Sequence, residues 1–219
     1  DDWLITPSFK LDGNKLYEMS YKLSGSDYLR TTVGQGNTPE DQDNVLEDLQ
    51  GYSTKVKDEL HEVYFRPSES GTYNFGFYNY SIGGDAYWSI DDLSVKAVAP
   101  VTAPDKVRSL TFKADEKGAL GGTLSFKLPA TAINGNNLSS LAKVTVYDQD
   151  GKVVATESKV QPGGNTSIKV TAVHGWNTYK IIAANADGEG WPVSITKFVG
   201  ADVPKAISNL KISWGEDRT

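Results

Sequence analysis

Apolar and polar residues alternate one for one along most of this chain. That period commits it to strands, because only an extended backbone sends successive side chains to opposite faces. In Leu16–Leu23, Tyr17, Met19, Tyr21 and Leu23 alternate with Glu18, Ser20 and Lys22. Leu29, Thr31 and Val33 suggest a second strand, ended by Gly34-Gln-Gly36. Val63 and Phe65 alternate with Glu62, Tyr64 and Arg66, and Tyr73, Phe75 and Phe77 alternate with Asn74, Gly76 and Tyr78. Tyr87–Val98 is a further strand. One short helix is expected between them. Thr38 suits an N-cap, Pro39 the first helical position, and Glu40 and Asp41 the positive end of the helix dipole. Val45, Leu46 and Leu49 would be its buried side, and it should end before Gly51.

Seven more strand-like runs follow: Val107–Phe112, Leu124–Leu128, Lys143–Tyr147, Val153–Thr156, Ser167–Val173, Tyr179–Ala184 and Val193–Val199. Asp148-Gln-Asp150-Gly151 is a strong hairpin turn between two of them. Seven short strands in roughly 100 residues suggest an immunoglobulin-like sandwich.

The sharpest break is Ala97-Val-Ala-Pro100-Val-Thr-Ala-Pro104, which cannot be helix and is expected to resist sheet pairing. Charge divides at the same place. Residues 1–100 carry 8 Lys/Arg against 17 Asp/Glu, a net −9, whereas residues 101–219 carry 14 against 11, a net +3. The sequence therefore divides into residues 1–99, residues 100–201 and a tail, 202–219. The overall net charge of −6 argues against a nucleic-acid coat. The 219 residues include no cysteine, which removes disulfides, thiolate-bound metals and thiol nucleophiles. Two histidines, His61 and His174, exclude a histidine-rich metal site. No apolar run reaches the roughly 18 residues that would span a bilayer. No signal peptide is visible, and the chain reads as a mature or trimmed piece of something longer.

The second half resembles a fibronectin type III domain. Ala103-Pro-Asp-Lys-Val-Arg-Ser-Leu110 is similar to that family's first strand. Leu124-Ser-Phe126-Lys-Leu-Pro129 is similar to its second, with Phe126 where tryptophan is usual. Tyr179-Lys-Ile-Ile-Ala-Ala-Asn185-Ala-Asp-Gly188 resembles the tyrosine-corner strand and its turn, so Tyr179 should bury its ring and bond its hydroxyl to backbone. Ala206–Trp214 looks like the opening strand of another copy. In the first half, Asp2-Trp-Leu-Ile-Thr-Pro7 and Trp88-Ser-Ile-Asp-Asp-Leu-Ser-Val95 resemble paired signatures of the cleaved-adhesin, or choice-of-anchor J, family. Gly34–Glu40 and Gly71–Phe77 fit its middle. The resemblance implies a MAM-like jelly roll from a secreted or surface protein of Bacteroidetes-type bacteria, whose members accompany peptidases, glycan-degrading enzymes and adhesins. The family's opening strand, with its glutamate, has no counterpart here. The expected fold is all-β: a jelly-roll-like β-sandwich followed by an immunoglobulin-like (fibronectin type III) β-sandwich.

Three sets of residues are candidate sites. Tyr78, Asn79, Tyr80 and Asp85 come first: Tyr78 and Tyr80 take the parity opposite to Tyr73, Phe75 and Phe77, and rings beside amide and carboxylate groups suit a sugar. The competing reading is ordinary packing of these rings. Asp91 and Asp92 come second. The alternation slips there, which suggests a bulge. The family resemblance implies that an acidic residue on this strand can help bind structural Ca²⁺, which needs six to eight oxygens. The competing reading has one aspartate bonding backbone amides and the other solvated. Third are the tryptophans: Trp3 is expected in the core or between domains, and Trp191 in packing. His174 has no ligand set around it. His61 lacks the second spaced histidine of a zinc-protease motif, and no Gly-x-Ser-x-Gly elbow is present. A solvated face accounts for the acidic pairs better than a glycosidase carboxylate pair does.

The reading is a non-catalytic extracellular or cell-surface adhesion module that binds glycan or a host or matrix protein. It has neither nucleic-acid binding nor membrane insertion, and further domains of the same parent chain are its neighbours. The alternative is an accessory or spacer region of a larger secreted peptidase or glycoside hydrolase.

Overall fold

The computed structural model describes residues 2–81 and 87–200, with backbone alone for 51–55. Asp85 and the 202–219 tail lie outside the described residues. The first half forms a sandwich from strands β1 (Asp2–Ile5), β2 (Phe9–Leu11), β3 (Lys15–Gly34), β4 (Asn44–Phe65), β5 (Gly71–Asn79) and β6 (Trp88–Pro100). β3 and β4 run antiparallel to one another over most of their length. On its other side β3 pairs with β6 through its first half and with β5 through its second, and β1 and β2 pair with β5.

Two layers arise because the long ribbon folds over. Tyr21 and Thr31 are ten residues apart in β3, about 33 Å along a straight strand. Yet the Tyr21 hydroxyl lies 2.9 Å from Thr31 Oγ1. Glu47 and His61 of β4, fourteen residues apart, are likewise 3.0 Å from each other. The bend falls where the β3–β4 pairing slips, between Leu23 and Leu29, with Gly25 at φ 144° and Asp27 at φ 95°. Bulges of this kind turn a sheet sharply while keeping most of its hydrogen bonds. Met19, Tyr21, Leu23, Leu29, Val33, Val63, Phe65, Tyr73, Phe75 and Phe77 meet inside the fold.

The expected helix is absent. A single 3₁₀ turn covers Pro39–Asp41, where Asp41 Oδ2 accepts from the Thr38 hydroxyl at 2.8 Å and from its N–H at 3.1 Å. The chain then enters β4 at Asn44, and Val45, Asp48 and Leu49 pair with Thr32, Arg30 and Leu29. The local helix signals were real, but the backbone partners offered by β3 outweigh a short isolated helix, which is marginal in water.

The second half is an immunoglobulin-like sandwich. One sheet holds β7 (Arg108–Ala114), β8 (Gly121–Lys127) and β11 (Asn165–Thr171) in the order β11-β8-β7. The other holds β9 (Lys143–Tyr147), β10 (Val153–Glu157), β12 (Gly175–Asn185), β13 (Gly188–Glu189) and β14 (Val193–Val199), with β9, β13 and β14 all pairing with β12. The Asp148–Gly151 turn joins β9 to β10, and Gly151 has φ 73°. Tyr179 is 1% exposed and its hydroxyl donates to Thr171 O at 2.7 Å, as expected of a tyrosine corner.

The connection between the halves is more ordered than its composition suggests. β6 keeps pairing through Ala97, Ala99 and Pro100, opposite Tyr17, Leu16 and Lys15. Among the described residues β6 pairs only with β3, and an edge strand tolerates the missing proline N–H. Val101 and Ala103 are then buried with Leu16, Ala99 and Ile133, and Tyr64 and Trp191 pack on that cluster. Asn134 N–H donates to Val101 O, Ile133 N–H to Ala103 O, and Arg66 Nη1 to Ile133 O. Glu62 of β4 and Lys180 of β12 form an ion pair across the junction.

Candidate functional site

The outer face of the first sandwich carries a row that crosses four strands. Trp3 of β1 stands opposite Tyr78 of β5, Tyr78 opposite Arg30 of β3, and Arg30 opposite Asp48 of β4. Directly opposed residues of antiparallel strands share a face, so the row follows from register alone. The Trp3 and Tyr78 rings stack at 4.5 Å and 11°, Tyr78 and Tyr80 at 5.5 Å and 27°, and Tyr28 meets Tyr80 at 5.3 Å and 51°. The Arg30 guanidinium sits 5.0 Å from the Tyr80 ring centroid, a cation–π contact.

Asp48 ties the polar end together. Its Oδ1 accepts from the Tyr80 hydroxyl at 2.5 Å, and its Oδ2 accepts from Arg30 Nη2 at 2.9 Å and Gln50 Nε2 at 3.3 Å. The Tyr80 hydroxyl, then Arg30 and Gln50, hold the Asp48 carboxyl below the usual carboxylate range, against partial desolvation. Burial and the Asp48 hydrogen bond push the Tyr80 phenol up, and the same carboxylate raises Arg30. The ring faces of Tyr78 are committed to its neighbours. What the ladder offers a ligand is ring edges, the half-buried Trp3, and the Asp48–Arg30–Gln50 polar group.

The expected site is thus brought together in part. Tyr78 and Tyr80 are side by side on the outer face. Asn79 takes the other parity, and its Oδ1 accepts from Ser81 N–H at 3.2 Å. Trp3 belongs to the ladder rather than the core or the junction, because β1 pairs with β5 in the register that sets it against Tyr78. Tyr28, Arg30, Asp48 and Gln50 were missed. The parity of Tyr28 and Arg30 against Leu29, Thr31 and Val33 was the available signal.

No protein-family model matches the chain, and no curated protein matches it. Among solved structures, the fold is similar to a β-glucuronidase from an uncultured Clostridium species, at 9% identity and a TM-score of 0.36, over 90% of this chain and 34% of that one. A putative β-galactosidase from Bacteroides fragilis is similar at 11% identity and a TM-score of 0.40, over 90% of this chain and 32% of that one. The adhesin domain of Epf from Streptococcus pyogenes is similar at 13% identity and a TM-score of 0.30, over 94% of this chain and 73% of that one. The chain spans about a third of the length of the two glycosidases.

Asp91 and Asp92 sit at the expected bulge, where the β3–β6 pairing slips between Ser20 and Lys22 and Asp92 has φ 50°. Asp91 Oδ1 accepts the Asp92 N–H at 2.8 Å, and Asp92 Oδ2 accepts from the Lys22 ammonium at 2.6 Å. The Lys22 ammonium is raised by that hydrogen bond and charge. Among the described residues no three His, Asp or Glu side chains converge as metal ligands. Trp191 packs at the junction, with its backbone N–H donating to Pro104 O at 2.9 Å. Trp176 opens β12 and is 70% exposed, edge-on to Phe198.

Proposed function

We propose that this chain is a non-catalytic binding module of an extracellular or cell-surface protein, and that the outer face of its first sandwich takes a carbohydrate. The cross-strand row of Trp3, Tyr78, Arg30 and Asp48 carries the reading. A sugar ring presents C–H groups on its faces and hydroxyls around its rim. Trp3 supplies an apolar platform for the first, and Asp48, Arg30 and Gln50 supply acceptors and donors for the second. These groups stand on paired strands and hold one another in place, so little side-chain entropy remains to be lost on binding. The second sandwich is then a spacer that presents the first. Calcium has no part in this reading, because the Asp91 and Asp92 carboxylates already hold an N–H and the Lys22 ammonium.

A glycan and matrix-protein array tests it. The wild-type chain should bind a subset of glycans. Trp3→Ala and Tyr80→Ala should each weaken that binding by about tenfold, the worth of one aromatic contact, while thermal unfolding shows that the fold is kept. A wild-type chain that binds no glycan, or variants that bind as well as wild type, would remove the proposal.

A further inference from the structure

The far end of the second sandwich, opposite the junction, carries an exposed apolar surface. Trp176 at the start of β12 is 70% exposed, Phe198 near the end of β14 39%, Val173 before β12 56% and Leu120 before β8 51%. Trp176 and Phe198 stand opposite one another in the β12–β14 register, and their rings meet edge-on at 5.7 Å. The His174 ring meets Phe198 at 5.6 Å and 80°. Ala172 N–H donates to Leu120 O at 3.2 Å, so the surface runs from one sheet across the turn to the other. Single apolar side chains scattered over a surface are ordinary, whereas a group at one end of a fold marks a contact.

The backbone holds this surface out. Asn177 is 4% exposed, its Oδ1 accepts from Val173 N–H at 2.9 Å, and its Nδ2 donates to Val173 O and Gly175 O, each at 2.8 Å. A buried amide with three bonds to one turn fixes that turn, and with it the place of Trp176. The chain also leaves the sandwich here. Gly200 follows β14 at φ +112°, and a Cβ on it would stand 2.5 Å from His174 Cδ2, so the backbone passes directly over the His174 ring.

The sequence beyond Gly200 repeats the one beyond Pro100. Pro104-x-x-Val107-x-x-Leu110-x-Phe112 recurs one hundred residues later as Pro204-x-x-Ile207-x-x-Leu210-x-Ile212, and Val101 and Ala103 recur as Ala201 and Val203. In the first sandwich that linker lies on the end that β6 leaves, where Val101 and Ala103 are buried with Leu16 and Ala99. Leu16 sits at the start of β3, which pairs with the exit strand β6, and Trp176 sits at the start of β12, which pairs with the exit strand β14. The two ends correspond: the first is covered by its linker, and the second stands exposed.

We propose that residues 201–214 of this chain are the occupant of the Trp176–Phe198 surface, with Val203 and the alternating Leu210, Ile212 and Trp214 laid across it. Lys211 and Ser213 take the opposite parity, so an extended segment has one apolar face to bury and one polar face for water. Fourteen extended residues reach about 45 Å, ample to cross two sheets about 10 Å apart. This surface is apart from the aromatic ladder, so failure here leaves the carbohydrate reading standing.

The native chain has no cysteine, so thiol labelling of single-cysteine variants tests the proposal on the intact 219 residues. Leu210→Cys and Lys211→Cys are labelled separately, and each rate is divided by its rate in urea. The Leu210→Cys ratio should be at least about tenfold lower than the Lys211→Cys ratio, since only the first thiol is covered. Adding Trp176→Ser should remove the difference, and Val203→Ser should narrow it. Adding Leu60→Ser, at a side chain 61% exposed on the first sandwich, should leave it intact. Equal ratios at the two positions overturn the proposal, and so does protection that survives Trp176→Ser. Protection that appears only at concentrations where sedimentation shows a dimer assigns the surface to a second copy and overturns it as well.

Discussion

Two side chains show how single hydrogen bonds set local behaviour. Tyr179 fills the core of the second sandwich, and its hydroxyl has one partner, Thr171 O. Tyr179→Phe keeps the ring packing and leaves that carbonyl with one bond fewer. The expected cost is about 1 kcal/mol, read as a lower urea midpoint at unchanged slope. Asp48 gives a pH dependence. Its carboxyl is held below the usual range in the folded chain, chiefly by the Tyr80 hydroxyl. A depressed carboxyl contributes its full stabilisation above the unfolded value, about pH 4, and loses it as pH falls through the lower folded value. Asp48→Asn should therefore melt below wild type near neutral pH, and the gap should close on acidification to about pH 2. A gap that persists in acid would mean that Asp48 acts through shape alone.

The bend of β3 is the element on which the first sandwich depends, and Gly25 is its tightest point. A Cβ there would stand 2.2 Å from Tyr87 O and 2.7 Å from Trp88 Cε3, at a φ of +144°. Gly151 also has positive φ, at +73°, but nothing lies within 4 Å of the same added atom. Gly25→Ala should cost about 2–3 kcal/mol and Gly151→Ala about 1 kcal/mol, since the first adds a backbone collision to the conformational strain. Similar losses by thermal or urea unfolding would show that the bend is not a tight point. The same element explains what was legible in the sequence. Period-two runs gave the strands of both sandwiches, because alternation is local. The parity argument put Tyr78 and Tyr80 on the outer face. The fold-back of β3 and β4 was not visible, because it arises from pairing between residues far apart. Asp48 and Gln50 were lost with it: a Thr-Pro-Glu-Asp start reads as helix until β3 supplies Leu29–Val33 as partners. Tyr28, Arg30 and Trp3 come from two other strands, and only register places them beside Tyr78.

Across the whole molecule, the junction between the sandwiches is a small core of its own. Leu16 and Ala99 come from the first, Ile133 from the second, and Val101 and Ala103 from the chain between. The Glu62–Lys180 ion pair is partly exposed, and such pairs contribute at most about 1 kcal/mol. The apolar cluster must therefore do most of the coupling. Truncating a buried isoleucine removes about 2–5 kcal/mol. At Ile181, inside the second sandwich with the junction intact, that loss should lower the midpoint while the transition stays single. At Ile133 it should fall on the junction, and a single calorimetric unfolding transition should separate into two. If Ile133→Ala keeps one transition, the two sandwiches are held by their polar contacts instead. Lys180→Gln should then be the variant that separates them.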